Sequence, residues 1–420
     1  MSGKITVYYS ALPGIFAFLM LVFPKLIALG FILFLPYIVW GAIQKSIRFQ
    51  WTYLSTFFVL FYLLYVIYAL YTRHPDWAGR YIENKLSFII LPILLAFRPK
   101  EKVNYGLSIG LYLLGLLFLL IQGYIASVHA YLNKGLGLNS FLSSEFSVVH
   151  HPTYFSAYLL VGIALLIYGL RTGLPYFKKM WVYPLGGILF IAYFQCLSLA
   201  GILFGVTLPG ILFVRFIYHR WGKIAAASSV VLVSVLMYLS VNYIPRIEGE
   251  WNGAIWYAKE YLEDPQGYVK ANTSPESGSQ ERLIMWTIAS QAFSVYPLGV
   301  GTGNVDEVLG TFLRKSGQYK LAAKELNPHN QYLQTAVEIG VLGFLALLGI
   351  LCSAFYYGVR YRNWIVVILA ANLAFNMLFE SMLQRQSGIV FYTFLLLFFV
   401  FITLDRKQLR SSSNSVSETV

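Results

Sequence analysis

The chain has 420 residues, of which 58% are hydrophobic, 17% aromatic and only 12% charged. Soluble domains carry about 25% charged residues, so this balance excludes an ordinary soluble enzyme. The formal net charge of +13 would suit nucleic acid, but much of it lies in short loops between apolar runs. Membrane topology accounts for basic charge placed there, and no nucleic-acid partner is expected.

In chain order, "MSGKITVYYSALPGIFAFLM" has one early lysine and no clear small-residue cleavage site. It reads as a retained first helix and not a cleaved signal. Apolar runs of about 20 residues, long enough to cross a hydrocarbon core of roughly 30 Å, then recur along the chain. The expectation is an all-α polytopic membrane protein with about twelve transmembrane helices, roughly 8–24, 26–43, 49–71, 81–97, 103–127, 153–170, 181–198, 201–217, 224–243, 331–357, 363–380 and 388–404. A β-barrel would show short alternating segments instead. The pair around "QCLSLAGILFGVTLPG" reads either as two helices with a tight turn at Ser198–Gly201 or as one long broken helix.

The basic loops set the orientation. Lys45/Arg48, Arg98/Lys100/Lys102, Arg171/Lys178/Lys179, Arg215/Arg220/Lys223, Arg360/Arg362 and Arg406/Lys407/Arg410 alternate correctly if both termini are cytoplasmic. Residues 1–243 then hold the first nine spans and 331–404 the last three. Residues 244–330 form a long loop on the outer face, and 405–420 a disordered cytoplasmic tail. A loop of that length is usually functional. Within it, 279–294, "SQERLIMWTIASQAFS", reads as a helix capped by Ser279. Its Leu283, Ile284, Met285, Trp286 and Phe293 suggest that it lies on the membrane surface. "DPQGYVKANTSPESGS" reads as a flexible excursion. Cys196 and Cys352 fall near opposite faces, which disfavours a disulfide between them.

Few residues could carry chemistry, and most lie on the outer side. In "NPHNQYLQTAVEIGVLGF", Asn327 reads as a helix cap, Pro328 as the first helical residue and His329 as part of the first turn. A neutral histidine there, near a bound anion, is a candidate general base; it could equally be tolerated at headgroup level. Arg282 could hold a phosphate through paired hydrogen bonds, or simply snorkel. Glu338 lies about two turns beyond His329, where a carboxylate defaults to a functional or paired role. Glu380 and Arg385 in "FESMLQRQSG", and Glu83 and Lys85 in "YIENKLSF", fit ion-pair scaffolding or substrate contact about equally. His150 and His151 are adjacent and so point apart, and no second cluster of ligating residues accompanies them, which discounts zinc. "GVGTGN" does not sit between a strand and a helix, so it reads as a turn and not a nucleotide cradle.

These segments also resemble a known family. "PHNQYLQTAVEIGVLGFLALL" is similar to the signature of the bacterial O-antigen ligase and O-antigen polymerase superfamily. There a histidine and a polar residue open a helix, and Gly-x-x-Gly follows about ten residues on. Here these are His329, Asn330, Gly340 and Gly343. "ERLIMWTIASQAFSVYPLGVGTGN" resembles the family's arginine-led helix and glycine-rich turn. "HHPTYFSAYL", "ENKLSFIILPILL" and "FESMLQRQSGIVFYTF" also look like family segments, with His151, Glu338 and Glu380 in supporting places.

The resemblance implies an inverting GT-C type glycosyltransferase of the bacterial inner membrane that uses no metal, nucleotide or other cofactor. Its donor would be a glycan on undecaprenyl diphosphate at the periplasmic face. Ligases pass the glycan to lipid A–core, polymerases to another repeat unit, and relatives to protein hydroxyls. By motif, His329 would deprotonate or orient the acceptor hydroxyl, and Arg282 would bind the diphosphate. Many members carry a Ser-Arg-(Gly/Ala) turn whose arginine is a second diphosphate ligand. The matching "CLSLAGILF" has Leu199 at that place, and leucine cannot bind phosphate. Lys85, Arg80 and Arg385 are candidate substitutes. A rival class, a transporter or flippase of polyprenyl-linked sugars, would need polar residues along a path through both faces. Here they gather on one side.

Overall fold

The computed structural model describes residues 2–196, 199–206, 208–243 and 245–417, with side chains described for 7–196, part of 201–253 and 255–405. The chain is helical throughout, apart from two three-residue strands. In order, the elements are α1 (Ser2–Val22), α2 (Ile27–Ile43), β1 (Ile47–Phe49), α3 (Tyr53–Ala69), α4 (Pro75–Lys85), α5 (Ser87–Ala96), β2 (Phe97–Pro99) and α6 (Gly106–Lys134). There follow α7 (Ser143–Phe146), α8 (Pro152–Thr172), α9 (Lys179–Gln195), α10 (Leu199–Val206), α11 (Leu208–Tyr243), α12 (Pro245–Glu263), α13 (Pro265–Ala271), α14 (Gly278–Val295), α15 (Val305–Lys315) and α16 (Tyr319–Ala322). The last three are α17 (Gln331–Arg360), α18 (Trp364–Asn376) and α19 (Gln386–Ser417), the last of which continues beyond the apolar stretch into the polar tail.

Among the described residues, five segments are long and apolar enough to cross a membrane: Pro24–Ile43, Gly106–Lys134, Pro152–Thr172, Gln331–Arg360 and Gln386–Asp405. Val7–Val22, Tyr53–Ala69 and Trp364–Asn376 are shorter apolar helices. The fold is therefore that of an all-helical membrane protein. In α19, Ile389 through Ile402 are buried on every side, as expected of a helix apolar all round at the centre of a bundle. The stretch around Ser198 resolves into separate helices, α9 and α10; Leu197, Ser198 and the Leu199 side chain lie outside the described residues. Within α11 the helical path breaks at Gly222 (φ 88°), between Arg220 and Lys223 of a predicted loop.

One end of the bundle is locked by charge. β1 and β2 pair antiparallel, with Arg48 opposite Arg98. Both guanidinium groups bond to Asp405 on α19, Arg48 at 2.8 Å. Arg98 is wholly buried and also donates to the hydroxyls of Tyr9 (2.5 Å) and Tyr105 (2.6 Å). A buried cation persists only when paired and hydrogen-bonded in this way. Three loops predicted to share a face are thereby gathered at one end, and the acid–base residues collect at the other.

The long loop departs most from expectation. Its apolar residues build a second core: Ile284, Met285, Ile288, Ala289 and Ala292 of α14 pack with Val305, Leu309, Leu313, Leu321 and Val337. So α14 turns its apolar face onto α12, α13, α15 and α17, and not flat onto a lipid surface. Burying that stripe against protein satisfies it without a bilayer. Ser277, and not Ser279, caps α14 by accepting from the Gln280 N–H. The stretch read as flexible contains α13, whose first turn is capped by Asp264 Oδ1, which accepts from Gln266 N (3.1 Å) and Gly267 N (3.0 Å).

This second core is joined to the bundle by a splice. Helix α17 leaves helical geometry at Ile339 (φ −123°) and Gly340 (φ 65°, ψ −166°). Val341 N, which would bond the Val337 carbonyl in a continuous helix, donates instead to Pro297 O (3.0 Å). The freed carbonyls of Val337 and Glu338 accept from Val300 N (2.9 Å) and Gly301 N (3.0 Å). A Cβ on Gly340 or Gly299 would collide with the other segment's backbone. The "GVGTGN" turn is thus a backbone insert, which also ties α3 through Thr302 Oγ1 to Tyr65 O (2.8 Å).

Gly340→Ala should therefore cost roughly 2–4 kcal/mol, combining positive-φ strain with overpacking. It should lower the melting temperature of purified protein in detergent. Gly110→Ala, whose Cβ meets open space, should leave that temperature nearly unchanged. Equal melting of the two variants would rule out the splice as a structural requirement.

Candidate functional site

The N-terminus of α17 is built from side chain to backbone bonds. Asn330, not Asn327, is its cap: Oδ1 accepts from Leu333 N (3.1 Å), and Nδ2 donates to Leu378 O (3.2 Å). His329 therefore stands just before the helix, at φ 48°. Histidine enters this left-handed region more readily than most residues, but the conformation still has to be held. Asn327 holds it, accepting from His329 N (2.8 Å) and from Ser381 Oγ (3.1 Å) through the same oxygen. Gln331 N donates to Met377 O (2.8 Å), and Gln331 Oε1 accepts from Leu383 N (2.7 Å). The 377–385 turn is consequently stapled to the start of α17.

That staple brings Glu380 to His329, with Nδ1 and Oε2 3.3 Å apart. Burial pushes the Glu380 carboxyl upward, but the hydrogen bond and charge of His329, with the charges of His151 and Arg282, outweigh it. The carboxyl is held below the ordinary value. An ionised carboxylate only accepts, so the Nδ1–H donates, and in the neutral imidazole the lone pair then lies on Nε2. His329 is half-buried, with its side chain 25% exposed, which leaves room for a substrate proton to reach that nitrogen.

Arg282, Arg385 and His151 surround the pair. Arg282 is half-buried and forms no ion pair among the described residues, and its Nε is enclosed without a partner. The neighbouring Glu281 is occupied by Lys324 at 2.5 Å. Arg385 is exposed on the Glu380 turn. His151 opens toward solvent while capping α8; burial lowers its pKa, Glu380 opposes that, and Arg385, Arg282 and His329 reinforce it. His150 turns the other way. Its ring is buried, with Nε2 2.7 Å from Leu21 O and Nδ1 3.3 Å from Ser387 Oγ. The adjacent histidines therefore do separate jobs.

A second polar group lies behind this wall. Lys85 is fully buried, donates to Gln384 Oε1 (2.7 Å), and sits over the rings of Tyr65 (4.4 Å) and Tyr81 (4.9 Å). Glu338, also fully buried, accepts at Oε2 from Gln384 Nε2 (3.0 Å) and Gln334 Nε2 (3.1 Å). Gln384 thus bridges the ammonium and the carboxylate one residue before Arg385. Tyr81 reaches Asp306 at 3.4 Å, and burial, with help from Glu338 and Glu325, raises the Asp306 carboxyl to about 6. Arg80 and Glu83 are exposed on α4, and no hydrogen bond or ion pair joins their side chains to this group among the described residues.

Sequence reading missed several participants. Gln384 and Ser381 are ordinary polar residues whose partners Glu338 and Asn327 lie 46 and 54 positions away. Tyr154, buried with an unpartnered hydroxyl, stands edge-on to His151 at 6.3 Å. Trp286 follows Arg282 by one helical turn, a spacing that could have marked it.

This geometry defines a helical membrane protein whose outer or inner pole carries a histidine–carboxylate pair beside unpaired arginines. The O-antigen ligase family model matches residues 185–348, a segment that includes both Arg282 and His329, and over that segment the chain is similar to the family. The family is one of ligase- or polymerase-type membrane enzymes with glycosyltransferase-like activity. A Haemophilus influenzae protein described as uncharacterized is 27% identical over 165 residues, 37% of this chain. The match covers 39% of that relative's length.

The raised Asp306 carboxyl carries a stability signature. A folded-state pKa near 6, above an unfolded value of about 3.9, means that the native state binds the proton more tightly. Stability therefore falls as pH rises from about 4 to about 6 and stays reduced above. Asp306→Asn should melt higher than wild type at pH 8, by the equivalent of about 1–2 kcal/mol after solvent screening. That gap should close as pH falls through 6 toward 4. A gap independent of pH would exclude the ionisation as its cause.

Proposed function

We propose that the chain is an O-antigen ligase-like glycosyltransferase of the bacterial inner membrane, with its site facing the periplasm. It would transfer a glycan from undecaprenyl diphosphate to an acceptor hydroxyl, taken here as a sugar of lipid A–core. The observation that carries this reading is the His329–Glu380 hydrogen bond beside the unpaired Arg282.

His329 Nε2 takes the acceptor's proton while its oxygen attacks the anomeric carbon. The bond from that carbon to the phosphate oxygen breaks, and undecaprenyl diphosphate leaves with the electron pair. A single in-line displacement inverts the anomeric centre. Glu380 orients the imidazole and stabilises the imidazolium that forms, as a carboxylate does for other histidine bases. Arg282 binds the diphosphate and offsets charge building on the leaving group. In place of the arginine absent at Leu199, Arg385 is the best-placed cation, exposed on the Glu380 turn. Lys85 reaches that turn through Gln384 and Glu338, and Arg80 lies farther along α4. Asn330 and His151 support the site by capping the two helices that border it.

His329→Ala should lower transfer from a purified lipid-linked donor at least about 1,000-fold, near the upper range for removing a general base with its oriented contact, while melting stays close to wild type. Activity within a few-fold of wild type would reject the base. Arg282→Ala should act mainly by raising KM for the donor. Glycan transferred to lipid A–core identifies a ligase. Lengthening of the donor glycan instead would identify a polymerase, and glycosylated polypeptide a protein-directed transferase.

A further inference from the structure

Helix α14 presents two nitrogen donors, one turn apart, that nothing among the described residues satisfies. Arg282 Nε and Trp286 Nε1 are both enclosed by protein, and neither has a hydrogen-bond partner. A buried indole N–H usually finds an acceptor, and an enclosed donor left without one is costly to keep. Residues four apart share a helix face. Ile284 and Ile288, on the far side of α14 from this pair, fill the second core together with Met285 and Ala289.

The Arg282–Trp286 face instead borders the turn that carries Glu380. The Trp286 ring lies 6.3 Å from that of Phe379, tilted by 49°. The Arg282 charge acts on both Glu380 and His151. Acceptors nearby are engaged elsewhere: Glu281 with Lys324, and Glu380 with His329 and the Ser381 N–H. Thr287 on the same helix donates to Tyr261 and is unrelated to the pair.

We infer that the Trp286 indole N–H is a second, uncharged donor to the phosphate oxygens that Arg282 holds. This inference rests on the phosphate role proposed for Arg282. Both groups can only donate, and one is a permanent cation. The matching ligand atom only accepts and carries negative charge, which describes a phosphate oxygen better than a sugar hydroxyl. The two donors divide the work. The guanidinium supplies attraction, and the indole, fixed against Phe379, supplies direction at the oxygen where leaving-group charge grows.

The test uses full-length purified protein labelled with 15N-tryptophan. The indole resonance missing from the Trp286→Phe spectrum identifies Trp286 among the nine tryptophans. Titration with inorganic pyrophosphate should shift that resonance saturably, whereas a methyl glycoside at equal concentration should not. Trp286→Phe keeps the ring and removes the N–H, and it should weaken pyrophosphate binding by about 10–150-fold, the range for one hydrogen bond to a charged group. A resonance that stays still while pyrophosphate binds overturns the inference, as does one that answers the glycoside alone, or wild-type binding by Trp286→Phe. Arg282→Ala separates the two claims. If it abolishes binding while Trp286 is indifferent, only the indole role fails. If Arg282→Ala binds normally, or wild type binds no pyrophosphate, the phosphate reading beneath it fails as well.

Discussion

The break in α17 is the constraint on which the rest of the site depends. A continuous helix would satisfy its own backbone groups and leave the second core tethered only by chain connections. Instead, two carbonyls and one N–H are released at Ile339–Gly340 and taken up by residues 297–301. The hydrogen bonds lost within the helix are regained across it, so the break is stable only with the insert in place. Because the insert leads directly from α14, this exchange sets where Arg282 and Trp286 stand relative to His329.

From that point, positional accuracy passes through neutral hydrogen bonds. Asn327, Asn330 and Gln331 each bond to the 377–385 turn, and Gln384 on that turn bridges Glu338 and Lys85. Amides suit this task, since each offers a donor and an acceptor without adding charge. The charged groups are then free to differ in their roles. Glu380 is committed to His329 and Glu281 to Lys324, and among the described residues Arg282 and Arg385 have no carboxylate partner. Cations without carboxylate partners beside a histidine–carboxylate pair attract anions.

The two poles of the bundle use charge in opposite ways. At Asp405, two guanidinium groups and the Tyr105 hydroxyl bond one carboxylate, Tyr9 accepts from Arg98, and α1, β1, β2 and α19 are held together. Every cation there meets an anion, and the result is a lock. At the other pole, Arg282 and Arg385 have no carboxylate partner among the described residues. Net charge cannot distinguish these cases; pairing can.

Much was legible in the chain itself. Apolar runs showed a helical membrane protein because the bilayer demands about 20 residues per crossing. The spacing of His329 from Gly340 and Gly343, with Arg282 upstream, carried the resemblance to the O-antigen ligase family because such motifs are local in the chain. What the sequence could not decide was everything that depends on which surface a residue meets. The α14 apolar face looked the same whether it met lipid or protein, and only packing placed it in a core. His329 looked helical because Pro328 favours a first turn, yet the bond from its N–H to Asn327 holds it outside. Glu380 and Gln384 lie about 50 residues from their partners, beyond any local pattern. The sequence by itself determined that this is a membrane protein with a histidine and an arginine in family places. Only the tertiary structure decided that the histidine has a carboxylate partner and that the arginine has none among the described residues, because hydrogen bonds between distant segments form in space and leave no period in the chain.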